Sequence, residues 1–331
     1  MTQSHSSELQ ECLESLRLEA PQTFRNLTLF PLTSARSDTP AYQMLDAAMA
    51  RGEFIVQEIS AAGSVPELLA VNRGAPPVLI VNGEELLGAK QNRVLNTTVL
   101  LGGHSETVIP VSCTEQGRWR PVSAQFSSSD AVMAQRARAH KLQSVSESLA
   151  ADEAFHSDQG GVWRAIAHLQ AKAQSHSPTG AMHDAFKACE AELNQCLDAF
   201  RPVPGQKGLL VLINGEVAGF DVVAGEDAYA KLHAKLVKSY AIEALLDEGQ
   251  ATDPTDAEAK ARAFLQAAGE AKEQRFKSVG LGEDCRYHGE RLAGSALVYE
   301  GRVLHAAFFR TEDRNPSSSM ADLLRRPGMW T

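Results

Sequence analysis

The sequence predicts an α+β fold in which mostly antiparallel β-sheet halves flank an inserted helical segment. Three observations predict it. Between residues 26 and 115, short apolar runs follow one another with connections too short for crossover helices, which leaves antiparallel pairing. From residue 130 to about 200 the apolar spacing changes to 3.6 residues. Beyond residue 208 short apolar runs resume around two further helical stretches.

In order, NLTLFPL (26–32) reads as a strand and residues 42–49 as a short helix that stops near Gly52. Strands are expected at 54–60, 67–73 and 77–81, then as one long run over 84–101, then at 107–115; all are rich in β-branched or apolar residues between turn residues. A helix is expected over 130–149, with Asp130 as N-cap. A second carries Val162, Ile166, Leu169 and Ala173 on one stripe, and a third carries Met182, Phe186, Cys189, Leu193 and Leu197. LLVLI (209–213) and EVAGFDVV (216–223) are strands, and 227–246 is a helix. The next helix, 255–268, has capping-box spacing at Thr255 and Glu258 after Pro254, with Gly269 as the stop. A closing meander covers 276–280, 285–289, 294–299 and 303–309. The organisation expected is a polar leader (1–21), one large domain (22–310) and a tail (311–331) with at most one short helix at 320–326.

Composition limits function. The 331 residues are 44% apolar and 22% charged with a net charge of −9, which excludes a disordered class. The acidic balance repels polyanions, so neither nucleic acid nor an anionic membrane is an expected partner, although a local basic pocket for one phosphate stays open. The first twenty residues lack a basic region followed by an apolar one, and no run approaches ~20 apolar residues, so a cytoplasmic protein is the default expectation. Five scattered cysteines without a CxxC pair indicate neither a zinc ribbon nor a disulfide framework. No GxGxxG, P-loop, GxSxG, HExxH or DxDxDG signature occurs, and no metal or cofactor is expected.

VLIVNGE (78–84) and VLINGE (211–216) each place Asn-Gly after an apolar strand, the strongest short hairpin signal, and read either as two independent hairpins or as an internal duplication. The densest polar cluster spans 82–96. Strand alternation would put Glu84, Lys90, Asn92 and Asn96 on one side and Glu85, Gln91 and Arg93 on the other, unless Gly88 resets the register. Such a set suits a polar, multiply oxygenated ligand, or equally a solvated strand face. Next, Ile109, Val111, Cys113 and Glu115 share a face, so a carboxylate ends an apolar row where its pKa would rise toward acid–base work. Arg118 beside Trp119 fits a nucleotide clamp or a strand end packed over the core. His305 alternates with Val303, Ala307 and Phe309 and points to the buried side, either as a core histidine or into a pocket. Arg136, Arg138, His140 and Lys141 form a charge run that reads as a solvated helix face or a phosphate site. Gln159 and Trp163, one turn apart, would close a pocket wall.

GE (83–84), GAKQNR (88–93), IPVSC (109–113) and EQGRW (115–119) together resemble a family. DQ (158–159), VW (162–163), NGE (214–216), SY (239–240), EA (243–244), GSAL (294–297) and His305 extend the match over roughly residues 22–310. The family is the domain named for association with ADP-ribosylglycohydrolases and the rhodanese-phosphatase superfamily. The resemblance implies a role near ADP-ribose or related nucleotide metabolism and carries over no catalytic residues. The expectation is an enzyme acting on a nucleotide-like small molecule, with Glu84, Glu115 and His305 as catalytic candidates. Lys90, Gln91, Asn92, Arg93, Arg118 and Trp119 are the candidate ligand contacts. The alternative is a non-catalytic binding or sensor module using the same pocket. The two polar segments, 82–96 and 113–119, are expected to converge.

Overall fold

The structure, a computed structural model, describes residues 7–311 except 38, 61, 153, 248 and 250–252; the helix expected at 320–326 lies outside the described residues. Its centre is a nine-stranded antiparallel sheet. The strand order is Arg17–Leu18, Leu27–Thr33, Gln206–Ile213, Glu216–Val223, Arg302–Arg310, Leu292–Tyr299, Glu283–His288 and Lys272–Lys277, with Gln22–Phe24 also paired to Leu27–Thr33. Successive side chains of a strand leave on opposite faces. Leu209, Val211 and Ile213 therefore enter one apolar core while Leu210 and Leu212 enter another, which is why this strand reads as an unbroken apolar run. The second core is closed by helix Pro254–Gly269, through Ala257, Ala261 and Ala268, and by Leu9 of helix Glu8–Ser15, so the expected polar leader contains a packed helix.

A second, six-stranded antiparallel sheet runs Phe126–Val132, Glu84–Gly88, Arg93–Leu95, Ser105–Cys113, Glu67–Asn72 and Phe54–Gln57. It curls until its first and last strands approach each other, around a third core that includes Phe54, Val56, Leu68, Leu86, Ile109 and Val111. A three-stranded sheet, Val99–Leu101, Val78–Ile80 and Gln43–Met44, adds the one parallel pairing among the described residues. Helix Glu226–Leu245 packs against strands of both large sheets and is buried on nearly every side. Helices Gln135–Asp152, Gln159–Lys172, Met182–Ala188 and Glu190–Ala199 complete the first core. The α+β class with mostly antiparallel sheets is as expected. No helix among the described residues is long and apolar enough to cross a membrane.

Several local expectations are corrected. The run expected over 84–101 is three strands, Glu84–Gly88, Arg93–Leu95 and Val99–Leu101; Gly88 (φ 122°) and Ala89 (φ 40°) turn the chain out of extended geometry at the first break, and residues 96–98 form the second. Asp130 is not an N-cap: it lies in strand Phe126–Val132, and the helix begins at Gln135. The cap of helix Pro254–Gly269 is Asp253, whose carboxylate accepts from Thr255 N, with Pro254 filling the first helical position. Residues 42–49 divide into strand Gln43–Met44 and helix Leu45–Ala50, and the expected third helix divides at Cys189. The closing meander's first strand is Lys272–Lys277 rather than 276–280.

The two Asn-Gly pairs also differ. Asn214 (φ 53°) and Gly215 (φ 75°) form the expected hairpin turn between paired strands. At 82–83 only the glycine is left-handed, and the flanking strands Val78–Ile80 and Glu84–Gly88 pair with other strands. Among the described residues the two Asn-Gly pairs therefore do not form matching hairpins.

Candidate functional site

The two polar segments meet. The backbone turn at Gly88 and Ala89 exposes two carbonyl oxygens, and the Arg118 guanidinium donates to both, at 3.2 and 2.6 Å, and to Asn92 Oδ1 at 3.2 Å. A side chain at position 88 would place its Cβ 2.5 Å from Ser123 Oγ and 3.1 Å from Gln125 O, so the serine would have to turn away, and the positive φ itself favours glycine. Glu115 accepts from Arg118 Nε (2.8 Å) and Nη2 (2.6 Å), from Thr179 Oγ1 (2.7 Å) and from Asn92 N (3.2 Å). Burial pushes the Glu115 pKa up. The hydrogen bonds from Arg118, Thr179 and Asn92 outweigh burial and hold the carboxyl below its usual range. This is the reverse of the shift expected for a carboxylate ending an apolar row, because its partners arrive from outside the strand.

Backbone hydrogen bonds Gly117 N to Thr179 O (2.7 Å) and Met182 N to Thr114 O (2.8 Å) lay the segment before helix Met182–Ala188 along residues 114–117. That brings His183 to Glu85. The Glu85 carboxylate is wholly buried and accepts from Thr114 Oγ1 (3.1 Å) and Ser129 Oγ (3.0 Å); His183 Nδ1 stands 3.5 Å from its Oε2. The nearby Glu85 carboxylate raises the His183 pKa against burial, with help from Asp130 and Asp184. His183 is one-third exposed and lines a cleft of about 500 Å³ whose walls include Gly88, Asn92, Glu115, Arg118 and Thr179; on its other side it lines a 200 Å³ pocket with Asp130, Phe186 and Lys238.

Sequence reasoning missed His183. The available signal was its place beside Met182, at the start of a helical stripe; its partner Glu85 is almost a hundred positions away and could not be read locally.

The other candidates do not form one group. Arg93 donates to Gln91 Oε1 (2.8 Å) and Cys113 Sγ (2.9 Å), and both Arg93 and Lys90 approach the face of Trp119, at 5.6 and 5.3 Å from the ring centre. Burial raises the Cys113 thiol pKa against the pull of Arg93, so this thiol is protonated at neutral pH. Gln159 does not form a pocket wall by itself: its carboxamide pairs with both backbone groups of Cys113, at 2.8 and 2.9 Å.

Glu84 lies elsewhere, buried against Lys235 (3.0 Å) and Val81 N (2.9 Å). His305 is buried in a chain with Thr98 Oγ1 (2.8 Å from Nδ1) and Asp221 (3.4 Å from Nε2). Asp221 also accepts from Arg138 Nη2 (2.5 Å) and Tyr240 Oη (2.8 Å). Neither Glu84 nor His305 lines the cleft. The charge run at 136–141 is only partly a solvated face. Arg136 is exposed, but Arg138 and Lys141 are wholly buried, and Lys141 Nζ donates to Asn82 Oδ1, Leu95 O (2.6 Å) and Asn96 O (3.2 Å). Burial, with Arg138 and Arg286 nearby, lowers the Lys141 pKa well below the usual value. Among the described residues no group of His, Cys, Asp and Glu is arranged to hold a metal ion.

Comparison with curated proteins and with solved structures finds no match to either. The profile of one family matches residues 15–309, which takes in all three sheets but for the last residue of strand Arg302–Arg310, and every residue of the cleft. The chain belongs to the ARPP-1 family, the ARG and Rhodanese-Phosphatase-superfamily-associated Protein domain.

Proposed function

We propose that the chain is an enzyme acting on a small, polar, nucleotide-like molecule in the cleft, with His183 rather than a carboxylate moving the proton. The observation that carries this reading is the Glu85–His183 pair: a wholly buried carboxylate stands 3.5 Å from Nδ1 of a histidine on a cleft wall, and that buried nitrogen makes no hydrogen bond to any other group. With Nδ1 turned to Glu85, Nε2 is left to give or take a proton, and the neighbouring carboxylate favours the charged ring, the form a general acid requires. Glu115 is unsuited to that task, since a depressed pKa and four accepted hydrogen bonds keep it ionised. Its part is to fix Arg118 and Thr179 as rigid walls.

A second reading, a non-catalytic binding module, is favoured by that same Glu115–Arg118 pair, whose charges satisfy each other and need no reaction to explain them. The test is a thermal-shift panel of ADP-ribose, NAD and nucleoside mono- and diphosphates, then turnover of each hit by the parent and by His183→Asn. The enzyme reading expects product, with a loss of ~10²-fold or more in the variant. Binding without product supports the module, and equal turnover by parent and variant removes His183 from the chemistry.

A further inference from the structure

Arg93 is wholly buried, yet two of its guanidinium nitrogens, Nε and Nη2, have no hydrogen-bond partner. Its Nη1 is taken by Gln91 and by the weak acceptor Cys113 Sγ, and no carboxylate lies within ion-pair distance of it among the described residues. A buried cation with orphaned donors is costly, and proteins ordinarily answer it with an anion. What faces this guanidinium is the indole of Trp119, 47% exposed, a large apolar ring on the surface.

We propose that Arg93 is an anion-binding subsite covered by Trp119, and that a phosphate ester displaces the ring from the guanidinium. An aromatic face is a weaker partner for a guanidinium than a charged oxygen, and the Nε and Nη2 edge presents two parallel N–H groups spaced for two oxygens of one phosphate. The Lys90 ammonium, over the same ring, adds a second positive charge. Once displaced, the indole can stack on an aromatic base, which makes a nucleotide the fitting ligand class. Asn92, the neighbour of Arg93, lines the cleft. Arg93, Lys90 and Trp119 do not themselves line it, so the subsite borders the cleft, and only its assignment to the phosphate of the molecule held there rests on that reading. Two carboxylates act on Arg93: Glu115, whose charge is already met by Arg118, and Glu58, which opposes the proposal. Glu58 accepts from Lys90 N (3.3 Å) through one oxygen, its other oxygen is buried without a hydrogen-bond partner, and its charge acts on Arg93.

The experiment titrates the full chain with pyrophosphate and with ADP at physiological ionic strength, following tryptophan emission and, in parallel, heat. The variants are Trp119→Phe, Arg93→Lys and Glu58→Gln. Both anions should change emission saturably in the parent, and Trp119→Phe should abolish the change. Arg93→Lys, which keeps the charge and loses the fork, should weaken binding about tenfold or more; Glu58→Gln should tighten it. Absence of a saturable response to either anion overturns the proposal, as does parental affinity in Arg93→Lys. A lowered melting temperature in Glu58→Gln without anion binding would show that Glu58 answers Arg93, and overturns it too. Heat from ADP with no Trp119 response and no effect of Arg93→Lys removes the subsite and leaves the cleft reading standing. Pyrophosphate binding through Arg93 with no turnover of any ligand keeps the subsite and removes the enzyme.

Discussion

Replacing Glu115 by Gln separates a structural carboxylate from a catalytic one. The two side chains of the Glu115–Arg118 pair are 6% and 8% exposed, so the variant leaves a buried guanidinium facing a neutral amide. Breaking a buried pair typically costs 3–5 kcal/mol. Arg118 keeps Gly88 O, Ala89 O and Asn92 Oδ1 as acceptors, and Gln keeps the volume of Glu, which places the expected loss at the lower end, about 3 kcal/mol. At roughly 2 °C per kcal/mol for a chain of this size, the melting temperature at pH 7 should fall by about 6 °C. Glu115 is held below the usual carboxylate range when folded, so its contribution is present above the unfolded value of about 4.3 and is lost as pH falls through the folded value. The parent and variant curves should therefore converge in acid. A double-mutant cycle with Arg118→Met should return a coupling of about 2 kcal/mol. A Glu115→Gln protein melting within about 1 °C of the parent at pH 7, with no coupling to Arg118, would refute the reasoning.

Two further outcomes follow from the buried charges. Asp221→Asn should cost about 4 kcal/mol, read by urea titration, because one substitution leaves Arg138, Tyr240 and His305 without their shared anion; a loss under about 1 kcal/mol would contradict this. The His183 ring should titrate by NMR above the ordinary histidine value, and Glu85→Gln should lower it. Since the folded value is raised, the stabilisation from this pair is complete below the unfolded value of about 6.5 and fades as pH rises through the folded one. An unshifted ring, or one insensitive to Glu85→Gln, would remove the pairing.

The sequence by itself determined the α+β class, the hairpin at Asn214-Gly215, the closing meander and most helical stretches, because each depends on neighbours within a turn or a strand. The period-2 and period-3.6 patterns record which side of one element is dry, and the left-handed turn at 214–215 needs only its own two residues. It also placed 82–96 and 113–119 together, since their charges share a need for partners. Tertiary structure alone decided the rest. Strand Phe126–Val132 carries three serines and an aspartate, and is extended because it pairs with Glu84–Gly88 and because Ser129 serves the buried Glu85. Arg138 and Lys141 look solvated in the sequence; they are buried because Asp221 and Asn82, 83 and 59 positions away, supply what water otherwise would. The same holds at the cleft. Whether Glu115 is an acid or an anchor, and whether His183 has a carboxylate behind it, depends on segments that meet only when the chain is folded, and a local pattern holds no record of them.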